Sequence, residues 1–386
     1  MATYVDVSGI LQTQRTTGIQ RVVCELVSAF AESAGHHLIR LVRWSREKAA
    51  FESVDLEQFV SWLAKGGSLP EGVVTGTPVD VDGVQPGSIL LDMDNNWVGQ
   101  FDTPEAYGLF HKAGGKIARL VYDVIPVLAP QFVHPDTERR FLTWLPAVLT
   151  NADLLLVNAS ATRDELGEIC GQLGVECPPV AVFPLGGGLH NPPGRDLSVG
   201  VDAIAAAQSG PFVLMVGTVE PRKNHAYVLD AFETDLFARG ISLVIVGKRG
   251  WQNEELLGRL DNSALLGERL FYLDHASDAD LAFLYDRAKL LAFPSALEGY
   301  GLPIVEALQR GLPVLASDTR ISREVGGDWC DYFSLDDMAG FIAAVGKYSD
   351  DEFYGKKRAH VARYQPISWE QSATALLKAL DTLLVT

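Results

Sequence analysis

Residues 290–308 read LLAFPSALEGYGLPIVEAL. The apolar run Leu290–Phe293 has the length of a buried strand, and Pro303 suits the first turn of a helix, where a missing N–H costs nothing, so the spacing predicts a helix from about Leu302. Strand, glycine-bearing loop and helix make one βα unit. Glu298 and Glu306 stand on either side of its junction. In one continuous helix they would lie about 12 Å apart along the axis. With the loop bent back at Gly299 and Gly301, both can face one ligand. A carboxylate accepts hydrogen bonds from two vicinal hydroxyls, and glycines let backbone amides approach a phosphate. The plainer alternative is a helix-end charge at Glu306 and a solvated loop residue at Glu298.

The same unit recurs in both directions. In the first half, strands are expected at 4–8, 38–43, 88–92, 117–123, 153–158 and 179–184, with helices clearest at 19–33, 138–151 and 160–173. A Gly/Pro-rich run over 184–196 reads as a connection between domains. Beyond it, strands are expected at 212–217, 242–247, 270–274, 290–294 and 313–317, with helices at about 225–238, 251–260, 278–287 and 302–310. Short Leu- and Val-rich strands alternating with amphipathic stretches specify parallel sheets covered on both faces. The fold class is therefore α/β, with two doubly wound Rossmann-like domains, 1–190 and 205–365. Their strand ends are expected to line one cleft, where such sheets bind ligands. A last helix within about 366–386 opens at Ser368 and could pack back on the first domain.

The 386 residues are enough for two cores, and 47% apolar with 21% charged is the composition of an ordinary globular protein. No segment nears the roughly 18 to 20 uninterrupted apolar residues of a membrane span. The start, MATYVDVSGI, lacks a signal-peptide pattern, so the cytoplasm is the expected compartment. Cys24, Cys170, Cys177 and Cys330 have no metal or disulfide spacing and read as reduced and structural; no metal site is expected. The net charge of −17 is spread over both halves, which argues against nucleic acid as a partner. One basic cluster, Arg40, Arg43, Arg46 and Lys48, reads as a strand end with solvated charges, with a local touch on anionic lipid as the alternative.

A second motif is GTVEPRKN, Gly217–Asn224, between a strand and a helix. Arg222 and Lys223 beside a helix start form a natural diphosphate site, and Asn224 is a good helix N-cap. Lys248 and Arg249, in GKRGW, read better as a solvated loop.

Taken in order, FVLMVGTVEPRKNHAYVLDAF, LVIVGKRGW and LFYLDHASDADLAFLYDRAKLLAFPSALEGYGLPIVEALQRGLPVLAS resemble the C-terminal half of glycosyltransferase family 4. These are retaining enzymes of GT-B architecture, in which two Rossmann-like domains face each other across a cleft. VDVSGILQTQRTTGIQRVV, YDVIPVLAPQF and NADLLLVNASATRDEL resemble the N-terminal half more loosely. The GTxEPRKN wording is similar to a bacterial branch of O-antigen mannosyltransferases.

The resemblance implies a nucleotide-sugar donor, GDP-mannose, and a lipid-linked or oligosaccharide acceptor in O-antigen, capsule or exopolysaccharide synthesis, with the enzyme in the cytoplasm or at the inner face of the membrane. It implies no cofactor and no metal. Arg222 and Lys223 would grip the diphosphate, Glu298 the sugar hydroxyls and Glu306 the ribose diol. The amides of Gly299, Tyr300, Gly301 and Leu302 would cover phosphate and sugar, and Gly18, in the loop after the first strand, would let backbone approach donor or acceptor. Where many relatives have His-Asp, this chain has Tyr122-Asp123, which leaves Asp123 as the polar helper, with loop capping before Ile125-Pro126 as its alternative. Other readings are a UDP- or dTDP-sugar transferase, a non-hydrolysing nucleotide-sugar epimerase, or a silent donor-binding subunit.

Overall fold

The computed structural model describes residues 2–13, 18–33, 37–65, 69–79, 84–97, 101–188 and 210–384. The chain forms two compact units, Met1–Gly186 with Ile367–Thr386, and Gly187–Pro366.

The first unit is built on β1 (Ala2–Asp6), β2 (Leu38–Ser45), β3 (Ala50–Val54), β4 (Val74–Pro78), β5 (Ile89–Asp92), β6 (Lys116–Val121), β7 (Leu154–Val157) and β8 (Val180–Val182). Their order in the sheet is β4-β3-β2-β1-β5-β6-β7-β8. Six strands run parallel, while β3 pairs antiparallel with β2 and with β4. The parallel strands β5 and β7 are buried along their whole length, as strands covered on both faces must be.

Sequence periodicity does not reveal β3 and β4. AFESV and VTGTP lack an apolar run, and β4 at the sheet edge is mostly exposed. Pairing with β3 also decides the fate of the basic cluster. Arg43 and Lys48 both bind Glu52, each at 2.7 Å, and Arg40 donates to the Tyr4 hydroxyl at 3.1 Å. Of the glycine loop expected after β1, residues 8–13 form a helix, Ser8–Thr13, residues 14–17 lie outside the described residues, and Gly18 opens the next helix, Gly18–Ser33.

The order of this sheet reverses between β1 and β5, and the strand ends there hold a buried polar network. Asp6, Asp92, Asp94 and Arg119 are fully buried. The Asp6 carboxylate accepts from the Ser8 hydroxyl at 2.6 Å and the Asn96 amide at 2.9 Å. Asp92 accepts from Tyr107 at 2.7 Å, from Asn96 at 2.6 Å and from Arg119. Asp94 accepts from the amide of Ile10 at 2.6 Å, which ties the helix after β1 to the loop after β5. Three buried carboxylates thus lie near one guanidinium, which donates to the Asp92 carboxylate and to the Asp94 backbone carbonyl, and burial, reinforced by the Asp92 charge, pushes Asp6 up to about 8.

In the second unit β9 (Phe212–Val216), β10 (Ser242–Val246), β11 (Leu270–Leu273), β12 (Leu290–Phe293), β13 (Val314–Ser317) and β14 (Asp331–Phe333) form one all-parallel sheet in the order β11-β10-β9-β12-β13-β14. Separate apolar clusters cover the two faces, one including Leu243, Leu290 and Phe341, the other Leu214, Leu291 and Ile304. The β14 strand is only three residues long and was not expected from the sequence.

Near the C-terminus, helix Trp369–Leu380 begins with a capping box between Ser368 and Gln371. It belongs to the first unit, where it packs on helix Gly18–Ser33 and the Ser372 hydroxyl donates to the Pro184 carbonyl at 2.8 Å.

The buried acids have a measurable consequence. A folded Asp6 titrating near 8 holds a proton that the unfolded chain, at its ordinary value of 3.8, releases. Stability is therefore greatest below about pH 4 on this account and falls as pH rises toward 8, by up to about 1.4 kcal/mol per pH unit. The expected result is that Asp6→Asn flattens urea-unfolding stability between pH 5 and 8; a slope equal to that of the wild type would refute the assignment.

Candidate functional site

The order of the second sheet reverses between β9 and β12, and ligands of doubly wound sheets bind outside the strand ends at such a point. The two motifs read from the sequence are the loops that leave these two strands.

The first loop, Gly217–Asn224, continues past the end of β9 in register with the loop after β10. The Val219 amide donates to the Lys248 carbonyl at 2.9 Å, and the Gly250 amide returns to Val219 at 3.0 Å. The Asn253 side chain adds a bond to the same Val219 carbonyl at 2.6 Å. This contact is so close that a Cβ on Gly247 would lie 1.8 Å from the Gly217 carbonyl oxygen, so residue 247 has to be glycine. A single 3-10 turn, Pro221–Lys223, then presents the two cations. Asn224 does not cap the following helix as its residue type suggests. It takes a left-handed conformation, φ 59°, with no side-chain bond to the helix His225–Ala231, because the chain must turn sharply out of the 3-10 turn.

The second loop leaves β12 through Ser295, whose carbonyl accepts the Ser317 hydroxyl at 2.5 Å. The Ala296 amide bonds the Arg222 carbonyl at 2.8 Å and so joins the two loops by backbone. Gly301 occupies the N-cap position at φ 105°, and helix Leu302–Gln309 starts where the proline predicts.

Side chains complete the junction. Glu298, with 7% of its side chain exposed, accepts from Arg222 Nη1 at 2.7 Å and from Lys223 Nζ. Arg222 Nη1 also donates to the Leu297 carbonyl at 3.0 Å, and Nη2 pairs with Glu220 at 2.5 Å. Burial alone would raise the Glu298 carboxyl, but the Arg222 and Lys223 charges outweigh it and hold it at about 2. Lys223 lies across the Phe293 ring, 5.5 Å from its centre, and burial draws its ammonium below the usual value. Beside it His225 is buried, and burial together with the Lys223 charge pushes its imidazolium down to about 3, leaving the ring neutral.

Glu306 stands one turn into its helix, 5% exposed, and its Oε2 accepts the Tyr285 hydroxyl at 2.9 Å. Gly299, Tyr300 and Leu302 are half-buried around the loop. Arg249 is engaged elsewhere, in a two-bond pair with Asp261 at 2.7 and 2.8 Å, whereas Lys248 is exposed.

The remaining candidates belong to the first unit. Asp123 Oδ1 accepts the Ile125 amide at 3.1 Å, the loop-capping contact weighed from the sequence. Tyr122 is buried and donates to the Met93 carbonyl at 2.8 Å. Gly18, expected in a loop, is instead the exposed first residue of its helix. Among the described residues no group of three or more His, Cys, Asp or Glu side chains is placed to hold a metal ion.

Two members of the site are not evident from the sequence. Glu220 could have been found from its place two residues before Arg222. Tyr285 has no signal at all, since only the packing of its helix brings it to Glu306.

Residues 202–365 match the family described as glycosyl transferases group 1. A serotype-specific mannosyltransferase WbdA of Escherichia coli is 31% identical over 98% of this chain, which spans about half of that relative's length, 45%. An O-antigen chain mannosyltransferase B of Escherichia coli is also 31% identical, over 45% of the chain and 46% of its own length. Among solved structures, sucrose-phosphate synthase from Thermosynechococcus elongatus aligns over 100% of this chain and 99% of its own with a TM-score of 0.65 at 17% identity. Anabaena HepE in complex with UDP aligns over 99% of both chains with a TM-score of 0.64 at 13% identity. Likeness at such low identity bears on the fold alone, and that fold is GT-B. With the paired-cation and paired-glutamate loops at the switch point of an all-parallel sheet, residues 202–365 form a domain of the glycosyl transferases group 1 family.

Proposed function

We propose that the chain transfers mannose from GDP-mannose, with retention of configuration, to a lipid-linked or oligosaccharide acceptor in O-antigen synthesis. The observation that carries this reading is the meeting of Arg222, Lys223 and Glu298 at the switch point of the second sheet. Similarity to O-antigen mannosyltransferases supports the choice of sugar.

Arg222 and Lys223 bind the donor diphosphate, and their charge opposes what develops on the leaving group, so the transfer requires no metal ion. Amides of Gly299 to Leu302 hold phosphate and sugar. Glu306, oriented by Tyr285, accepts the ribose diol, and Glu298 accepts sugar hydroxyls. The acceptor oxygen forms a bond to the anomeric carbon as the bond from that carbon to the diphosphate oxygen breaks. The acceptor proton passes to the departing phosphate on the same face of the sugar. No carboxylate forms a covalent bond, and positioning and charge supply the rate. The reaction takes place at the cytoplasmic face of the inner membrane.

GDP and GDP-mannose are expected to raise the melting temperature while UDP and dTDP sugars do not; stabilisation by the latter alone would refute the donor assignment. Product formed from GDP-mannose should be unaffected by EDTA. Lys223→Ala and Glu306→Ala should each weaken nucleotide binding by about 1.5 to 3 kcal/mol, the worth of a charge-assisted hydrogen bond. Titration calorimetry showing wild-type affinity in both would remove these residues from the donor site.

A further inference from the structure

Arg222 and Lys223 bring two positive charges to the loop junction, and Glu220 and Glu298 set two negative charges against them. A diphosphate arriving there meets cations that are already paired. The two carboxylates differ in how they hold them. Glu298 reaches both cations from the loop after β12, 76 residues further along the chain than Arg222. Glu220 pairs with Arg222 through Nη2, from two residues upstream at the start of the same turn. Its backbone is fixed as well, because its carbonyl accepts the Lys223 amide at 3.0 Å. Arg222 therefore has one anionic partner local to its own loop and another borrowed from a different loop.

We infer that Glu220 is a positioning residue of the donor site and Glu298 its exchangeable counter-ion: a nucleoside diphosphate displaces the Glu298 carboxylate from Arg222 and Lys223 while Glu220 keeps the guanidinium in place. This rests on the donor-site reading above and adds to it a residue and an order of events. Carboxylate and phosphate present similar oxygen pairs to the guanidinium fork, so one can replace the other without moving the arginine. Like-charge repulsion then drives Glu298 from the phosphate, and its oxygens become available to sugar hydroxyls. Before the donor arrives, the same carboxylate keeps the buried Lys223 charged against a burial that draws its ammonium down.

The test is calorimetric titration of GDP and of UDP into the full chain carrying Glu298→Gln, Glu220→Gln, Arg222→Ala or the double change at 220 and 222. For whichever nucleotide the wild type binds, Glu298→Gln should tighten binding by about threefold or more, because a competing anion is gone. Glu220→Gln should weaken it about tenfold, and should do nothing further once Arg222 is alanine. Glu298→Gln should also lower the ligand-free melting temperature and enlarge the rise produced by nucleotide. Glu298→Asp, with its carboxylate drawn back by one carbon, should tighten binding to a smaller degree and serves if the neutral variant does not fold. A merely structural role weakens binding in both single variants. Weaker binding in the Glu298 variants, or an additive effect of Glu220→Gln on Arg222→Ala, would overturn the inference. Wild-type protein that binds neither nucleotide would instead refute the donor-site reading and this inference with it.

Discussion

The second unit is organised around one shared carboxylate. Glu298 joins two loops that leave adjacent strands, β9 and β12, where the strand order reverses. Parallel strands send their next connections to opposite faces at that point and leave a gap above the sheet. The gap is bridged first by the backbone bond from Ala296 to Arg222, then by the ion pairs, and Gly247 lets the third loop close in behind. Each of these contacts depends on the register of the sheet beneath.

The first unit meets the same topological condition in a different way. Its order reverses between β1 and β5, and the strand ends there are filled by Asp6, Asp92, Asp94, Asn96 and Arg119. Burial and the Asp92 charge favour a protonated Asp6, which lessens the excess of carboxylates over guanidinium. One switch point is thus filled by its own buried side chains, whereas the other gathers the cations Arg222 and Lys223 against Glu220 and Glu298.

The legible parts of the sequence were those whose signal is local. Uninterrupted apolar runs such as LLLV and FVLMV gave the central strands, since a strand buried on both faces has to be apolar throughout. Pro303 marked its helix start, and Ser368 its cap. The edge strands β4 and β14 carry no such run, because partial exposure relaxes the requirement, and β3, the antiparallel strand beside β4, has its apolar residues interrupted by the paired Glu52. Asn224 misled for a related reason. Its amide is a good cap in isolation, but the preceding 3-10 turn imposes a backbone conformation in which it cannot cap.

By itself the sequence determined the central strands and the helices with clear start signals, the two α/β units, and the residue types available for a multiply charged ligand at Arg222, Lys223, Glu298 and Glu306. These follow from periodicity and chemical type, which are properties of neighbouring residues. Only the tertiary structure decided who pairs with whom. Glu298 is the counter-ion of both cations, Glu220 holds one of them, Tyr285 orients Glu306, and the cluster of Arg40 to Lys48 is largely engaged by Glu52 and Tyr4. The physical reason is that an ion pair or a buried hydrogen bond depends on distances of about 3 Å between groups far apart in the chain, and sheet order and register alone set such distances.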